Sequence, residues 1–528
     1  MILMKSNLTN KNKLMSQNST DQFFKNNVLG HPAGLFVLFF TEMWERFSYY
    51  GMRALLVLFL TSSFTKGGWE WSVEDALALY GTYTMSVYFT PVVGGFLADK
   101  YLGYRWAVVL GALAMTLGHA SMAVETPMFL YIGIGCLIIG NGLFKPNMTS
   151  IISNAYANHP EKKDGAYSLY YMGVNAGAFL GIMLCGYIGE KISWSWGFGL
   201  AGIFMLLGML QFYFTQNIFG EIGLKPTAES KKLAQEKAAQ ESTPANVIRD
   251  RIIAVVIFSI FTVFFWAAFE QAGGSMTIFA EKFTQRELFG NAASTFKIVD
   301  AVLTIIPLII ITYVLIKLFK QTFKKYAIGN IILSLSFIII WGIVLWKVGR
   351  EFSATGTEVP ATWFGILNSL FIVCFAPVFS KWWESKYNLS GPMKFGLGLT
   401  LLGLGFGFLA YGSIDIVSGE EVVRVSMFWL IAAYLFHTLG ELCISPVGLS
   451  YVSKLVPATW IGIMFGVYYL FIGMGNKLAG SMGGMIEEIT EKYSLSTFFL
   501  IFTIVPIAAG VIMVVLSPVM KKLMHGVR

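Results

Sequence analysis

The chain has 528 residues, 55% of them hydrophobic and only 13% charged, with a mean hydropathy of +0.64. Soluble domains carry about 25% charged residues, so this composition excludes an ordinary water-soluble protein and fits a polytopic membrane protein. The net charge of +8 is not a nucleic-acid signature, because the basic residues are sorted by side of the membrane.

Apolar runs of about 20 residues, each long enough for a hydrocarbon core of about 30 Å, recur through the chain. They predict fourteen all-α spans near 33–60, 76–98, 105–124, 128–152, 165–188, 196–217, 250–280, 298–318, 327–348, 362–383, 394–413, 426–452, 459–483 and 496–520. With the N-terminus in the cytoplasm, most of the 38 Lys and Arg residues fall in inward tails and loops. That asymmetry places both termini inside. Residues 1–28 are polar and rich in Asn, Ser and Lys, so they read as a cytoplasmic tail and no signal peptide.

The first span holds TEMWERFSYYGMR, Thr41 to Arg53. Glu42, Glu45, Arg46, Tyr49 and Arg53 follow one another at three or four residues and share one helical face, where Glu42 can pair with Arg46 one turn on. Ionisable groups at membrane depth are costly, face a bundle interior or an aqueous cavity, and mark an ion or substrate pathway. A structural ion pair alone leaves the hydrogen-bonding capacity of Tyr49, Tyr50 and Arg53 unexplained.

The second span closes with FTPVVGGFLADKYLGYR at 89–105. Gly94 and Gly95 permit close helix packing, and Asp99 is placed to meet a neighbouring helix end or Arg105. This stretch resembles the G-x-L-a-D-r-x-G-x-R loop of the major facilitator superfamily, which implies two six-helix bundles. The fourth span carries Lys145 beside the helix-breaking Pro146 in GLFKPN; the alternative to a functional lysine is one that snorkels to the interface.

Residues 167–179, YSLYYMGVNAGAF, resemble a pattern of the proton-dependent oligopeptide transporter family: an aromatic cluster, then Asn175 among small residues. Together with ExxERF and YYG at 42–51, two motifs at the right topological places identify the chain as resembling that family. The polar stretch 219–249 reads as a cytoplasmic linker, amphiphilic or flexible, between a first bundle over 29–218 and a second over 250–520.

The second half opens with FWAAFEQ, in which Trp266 and Glu270 share a face. FAPVFSKWWESKY at 375–387 echoes FTPVVGGFLADKY at 89–101, the mark of parallel repeats. The echo makes 362–383 the counterpart of the second span. It also exposes an inserted helical pair at about 298–348, so the fourteen spans are twelve plus two. Extra pairs in bacterial members are described between the halves, so this position departs from the family pattern; an accessory packing hairpin is its simplest reading.

HTLGELCISPVGLS at 437–450 resembles the family's F-x-x-x-G-E-L-x-x-x-P run, with Glu441 and Ser445 on one face and His437 a turn earlier. His437 is read as a core residue. Animal members carry an important second-span histidine, and 76–98 has none, which leaves proton coupling to carboxylates. Lys477, in MGNKLAG, has no nameable partner and by default snorkels outward. Residues 521–528 form a cytoplasmic tail.

A zwitterionic peptide presents an ammonium and a carboxylate with variable side chains between, so a permissive pocket clamps the ends. Arg53 and Lys145 suit the carboxylate, Arg53 bidentately, and Glu441 suits the ammonium. Asn175 and Asn368 add neutral hydrogen bonds, and Tyr49, Tyr50, Tyr88 and Trp266 supply walls. The resemblance implies these roles, a pocket that also includes Ser445 and Tyr468, the latter where several relatives have Trp, and gating pairs Arg53–Glu270 and Lys145–Glu441. Glu42, Glu45 and Arg46 form the expected proton site, since Arg46 favours charged carboxylates while desolvation and a second carboxylate oppose them.

The expected activity is proton-coupled import of di- and tripeptides by alternating access, by a protein acting as a monomer in a bacterial inner membrane. Cys136, Cys185, Cys374 and Cys443 lie in apolar spans without metal spacing, and neither a phosphate loop nor HExxH occurs. No cofactor and no enzymatic activity are expected; a proton gradient supplies the energy. The alternatives are a related transporter of nitrate, an amino acid or a peptide-like drug, and a non-transporting peptide sensor.

Overall fold

A computed structural model describes residues 23–225, 244–416 and 423–527. The tail before Phe23, most of the linker expected at 219–249 and the last residue of the C-terminal tail lie outside the described residues. Fourteen long helices are present among them, and they match the apolar runs. They are α1 (Ala33–Thr61), α2 (Val73–Leu97), α3 (Tyr104–Met122), α4 (Pro127–Ala155), α5 (Pro160–Lys191), α6 (Trp194–Thr215) and α7 (Ala245–Phe269). Then come α8 (Gly290–Thr322), α9 (Ala327–Ser353), α10 (Ile366–Glu384), α11 (Gly391–Gly412), α12 (Phe428–Leu455), α13 (Ala458–Gly484) and α14 (Leu495–Val515). Eleven meet a strict length and hydropathy requirement for a membrane span. The exceptions are α1, with its buried charges, and α2 and α3, where Tyr, Thr, Arg105 and His119 lower the hydropathy.

The helices pack by removing side chains at crossings. On α3 a Cβ at Gly118 would stand 2.8 Å from the carbonyl of Gly133 on α4, and one at Gly111 would stand 2.7 Å from that of Gly140. Such small-residue contacts replace the hydrophobic drive that is absent within lipid. After α2 the chain makes one π turn, Ala98–Leu102, in which Asp99 accepts a hydrogen bond from Tyr104 (2.8 Å). Arg105 instead donates to the backbone carbonyls of Ile222 (2.6 Å) and Gly220, tying the chain after α6 to the start of α3. Pro91 and Pro377, the paired residues of the internal repeat, both lie inside their helices, α2 and α10.

The chain forms two compact units. The first holds the described residues of 1–52, 90–226 and 287–358, and the second those of 53–89, 227–286 and 359–528. The inserted pair α8–α9 therefore belongs spatially with N-terminal helices, although its sequence position lies within the second half. Phe337 of α9 packs edge-on against Phe40 and Trp44, both at 5.7 Å between ring centroids. Trp44 in turn stacks on Phe204 of α6 at 4.7 Å. At the far end of the pair, Lys347 donates to Asp300 (2.7 Å), with only 3% and 8% of their side chains exposed. Its ammonium lies 5.2 Å from the Tyr187 ring centroid, and the Tyr187 hydroxyl donates to Glu351 (2.6 Å).

Breaking a buried pair by removing one partner strands a charge and costs about 3–5 kcal/mol, whereas removing both costs far less. Asp300→Asn is thus expected to lower the thermal midpoint of detergent-solubilised protein, and Asp300→Asn/Lys347→Met to restore most of it. Equal destabilisation by the single and the double variant would contradict this.

Candidate functional site

In the first unit, α1 carries three ionisable side chains that are almost fully buried: Glu42 at 2% exposure, Glu45 at 0% and Arg46 at 4%. Arg46 Nε lies between the carboxylates, 2.9 Å from Glu42 Oε1 and 2.5 Å from Glu45 Oε2. The expected i to i+4 pair of Glu42 and Arg46 is present, and Glu45 joins it. Two residues from other helices complete the set: Tyr170 of α5 donates to Glu42 Oε2 (2.5 Å) and Asn141 of α4 donates to Glu45 Oε1 (3.3 Å). Each carboxylate thus has a neutral donor as well as the shared guanidinium.

Glycines bring α5 close enough for this. A Cβ at Gly173 would meet the Phe39 carbonyl at 3.0 Å, and one at Gly177 would meet Arg46 Cβ at 2.9 Å and the Met43 carbonyl closer still. The small residues around Asn175 therefore seat α5 on the charged helix. Asn175 itself is buried and donates to the carbonyl of Tyr171 (2.9 Å) on its own helix. Lys145 of α4 belongs to the same unit. The Arg46 guanidinium lies 5.4 Å from the Tyr49 ring centroid, and Tyr49 and Tyr50 meet edge to face at 5.1 Å.

In the second unit, α7 ends at Phe269, and a 3-10 turn over Glu270–Gly273 presents Glu270, 2% exposed. Arg53 pairs with Glu270 through Nη2. Tyr80 of α2 closes a triangle: it accepts from Arg53 Nε (2.6 Å) and donates to Glu270 Oε2 (3.1 Å). The Tyr88 ring lies 6.3 Å from Trp266 and 6.1 Å from Tyr469. Asn368 of α10 donates to Glu441 Oε2 (2.8 Å) and to Thr438 Oγ1 (3.2 Å), both on α12. Ser445 is one turn beyond Glu441, its hydroxyl buried without a hydrogen bond among the described residues.

Two residues lie in the core of the second unit. Tyr468 is 1% exposed and turned into the core of the second unit, where its hydroxyl accepts from Thr262 (3.4 Å). A rotation of about 100° per residue along the helix brings its neighbour Tyr469 to the Tyr88–Trp266 aromatics instead. His437 is in the core, 4.4 Å from the ring of Phe406, with neither ring nitrogen hydrogen-bonded among the described residues. Tyr80, Asn141, Tyr170 and Tyr469 are the participants that sequence reasoning passed over. Tyr170 lay inside the quoted aromatic motif, and Tyr80 is separated from Tyr88 by two helical turns; for Asn141 no sequence signal is visible.

Fourteen long helices with paired charges buried inside them define a polytopic transporter of the major facilitator fold. The POT family model matches residues 105–243 and 343–501, over half of the chain, and the chain belongs to that family. It is 33% identical to the uncharacterized transporter YclF of Bacillus subtilis over 94% of this chain and 96% of that one. It is 28% identical to the peptide transporter YePEPT of Yersinia enterocolitica, over 97% and 98%. To the di-/tripeptide transporter of Lactococcus lactis subsp. lactis it is also 28% identical, over 98% and 100%. A crystal structure of the peptide transporter POT in complex with sulfate is similar with a TM-score of 0.75 and 27% identity, covering 97% of this chain and 99% of that one. The family model leaves 244–342 unmatched, the stretch that holds α7, all of α8 and much of α9.

Proposed function

We propose that the chain is a proton-coupled symporter that imports di- and tripeptides by alternating access. The observation that carries this reading is the buried Glu42–Arg46–Glu45 set, bonded by Tyr170 and Asn141. Two carboxylates and one guanidinium hold a surplus negative charge at membrane depth, where charge is costly. One proton would neutralise the set. Lys145 of α4 belongs to the same unit, so the negative charge of a peptide carboxylate docking on Lys145 would be offset by the proton, and the two would bind in mutual support.

The relatives named as peptide transporters support the substrate class. In this reading Arg53 and Lys145 take the peptide carboxylate, Glu441 with Asn368 takes the ammonium, and Tyr88, Trp266 and Tyr469 line the side-chain space. The protein lies in the inner membrane of a bacterium with both termini cytoplasmic, acts as a monomer and needs no cofactor. The segment between α1 and α2 then faces outward, and the Arg53–Glu270–Tyr80 triangle stands near the outer end. The test is uptake of a labelled dipeptide into proteoliposomes under an imposed proton gradient, with and without uncoupler, competed by tripeptide, free amino acid and nitrate. Gradient-dependent uptake blocked by tripeptide alone is expected; uptake of free amino acid or nitrate in its place would overturn the peptide assignment.

A further inference from the structure

Lys477 lies in the second half of α13 and plays no part in the sites described above, and its partners are on α2. Its ammonium donates to Thr82 Oγ1 (2.8 Å) and points at the Ala78 carbonyl (3.4 Å), one helical turn apart on α2. The two helices touch here almost backbone to backbone: a Cβ at Gly81 would stand 2.9 Å from Gly480 Cα. A second tie holds the same stretch of α13 to the 3-10 turn after α7, where Gln271 donates to the Ala479 carbonyl (2.8 Å). The segment 477–480 thus joins α2 on one side and the turn after α7 on the other.

A lysine within a span normally reaches for water or for a carboxylate. Here its acceptors are a hydroxyl and a carbonyl, groups it meets only while α2 lies against α13. Ala78 and Thr82 flank Tyr80, whose hydroxyl contacts both Arg53 and Glu270. We propose that Lys477 is the latch of the α2–α13 contact and a positioning residue for Tyr80, so that it sets how readily this end of the transporter opens. The proposal rests on the transport reading above for its meaning, but the contact itself can be tested without transport.

Hydrogen bonds to a charged donor are among the stronger ones in proteins. Lys477→Met keeps the aliphatic stem and removes the donor, and Thr82→Val removes the better acceptor at an exposed position without touching the glycine contact. Spin labels at Thr65 and Glu488, both exposed, report the distance between the segment after α1 and the segment after α13 by pulsed electron resonance. Each variant is expected to raise the long-distance fraction about tenfold relative to the short one, and the double variant to add little. Lys477→Arg should stay near wild type. Dipeptide exchange is expected to show a changed KM with the proton requirement intact. Distance distributions unchanged in both single variants would overturn the latch. Failure of the wild type to accumulate dipeptide would instead refute the transport reading, and leave the distance result to decide the latch alone.

Discussion

Replacing Glu45 with Gln is expected to abolish gradient-driven accumulation of dipeptide while exchange across the membrane persists. A gradient of two pH units supplies about 2.7 kcal/mol per proton, enough for roughly hundredfold accumulation at one proton per peptide. In the Glu45→Gln variant the ratio should fall to about one, because the remaining Glu42–Arg46 pair is already neutral. The amide keeps the shape of the side chain and can still accept from Asn141, so loss of coupling need not bring loss of fold. Glu42→Gln should behave alike, with a further effect because Glu42 is bonded by both Arg46 and Tyr170. Tyr170→Phe removes a donor and no charge, and should leave coupling in place with altered pH dependence. Proton-driven accumulation retained in both Gln variants would move the proton site elsewhere.

The charged face of α1 could be read from the sequence because four ionisable residues in an apolar run announce themselves at any spacing, and helical periodicity then sorts them onto one side. The residues that bond them could not. Asn141 and Tyr170 come from other helices, and nothing in their own neighbourhoods separates them from polar groups that bond within a helix, as Asn175 does. Tyr468 and Tyr469 differ by one step along α13, and only the packing of Gly448 against Tyr468 decides which of them enters the core. The inserted pair was visible as an interruption of the repeat. Its attachment to the first unit depends on Phe337 meeting Trp44 and Lys347 meeting Tyr187, contacts that leave no periodic trace. Lys477 shows the same limit: an isolated lysine in a span has no readable partner when that partner is a backbone carbonyl and a threonine.

Arg53→Ala is expected to be the most damaging single change in the second unit. It would strand Glu270, 2% exposed, with Tyr80 as one remaining donor. An unpaired buried charge costs about 3–5 kcal/mol, so the outer contact should loosen and peptide uptake should be lost. Glu270→Gln should cost less, since the Arg53 side chain is 15% exposed and keeps its bond to Tyr80. Tyr80→Phe removes only a neutral hydroxyl and should cost about 1 kcal/mol. Arg53→Ala combined with Glu270→Ala tests whether the pair is one unit: thermal unfolding of the single and double variants should give a coupling above about 1 kcal/mol. Arg53→Lys retains the charge without the planar fork, so it should preserve much of the stability while raising KM for peptide. That split separates the two duties assigned to this arginine. If the guanidinium served the gate alone, lysine would leave KM unchanged; if it served the substrate alone, the cycle with Glu270 would be additive.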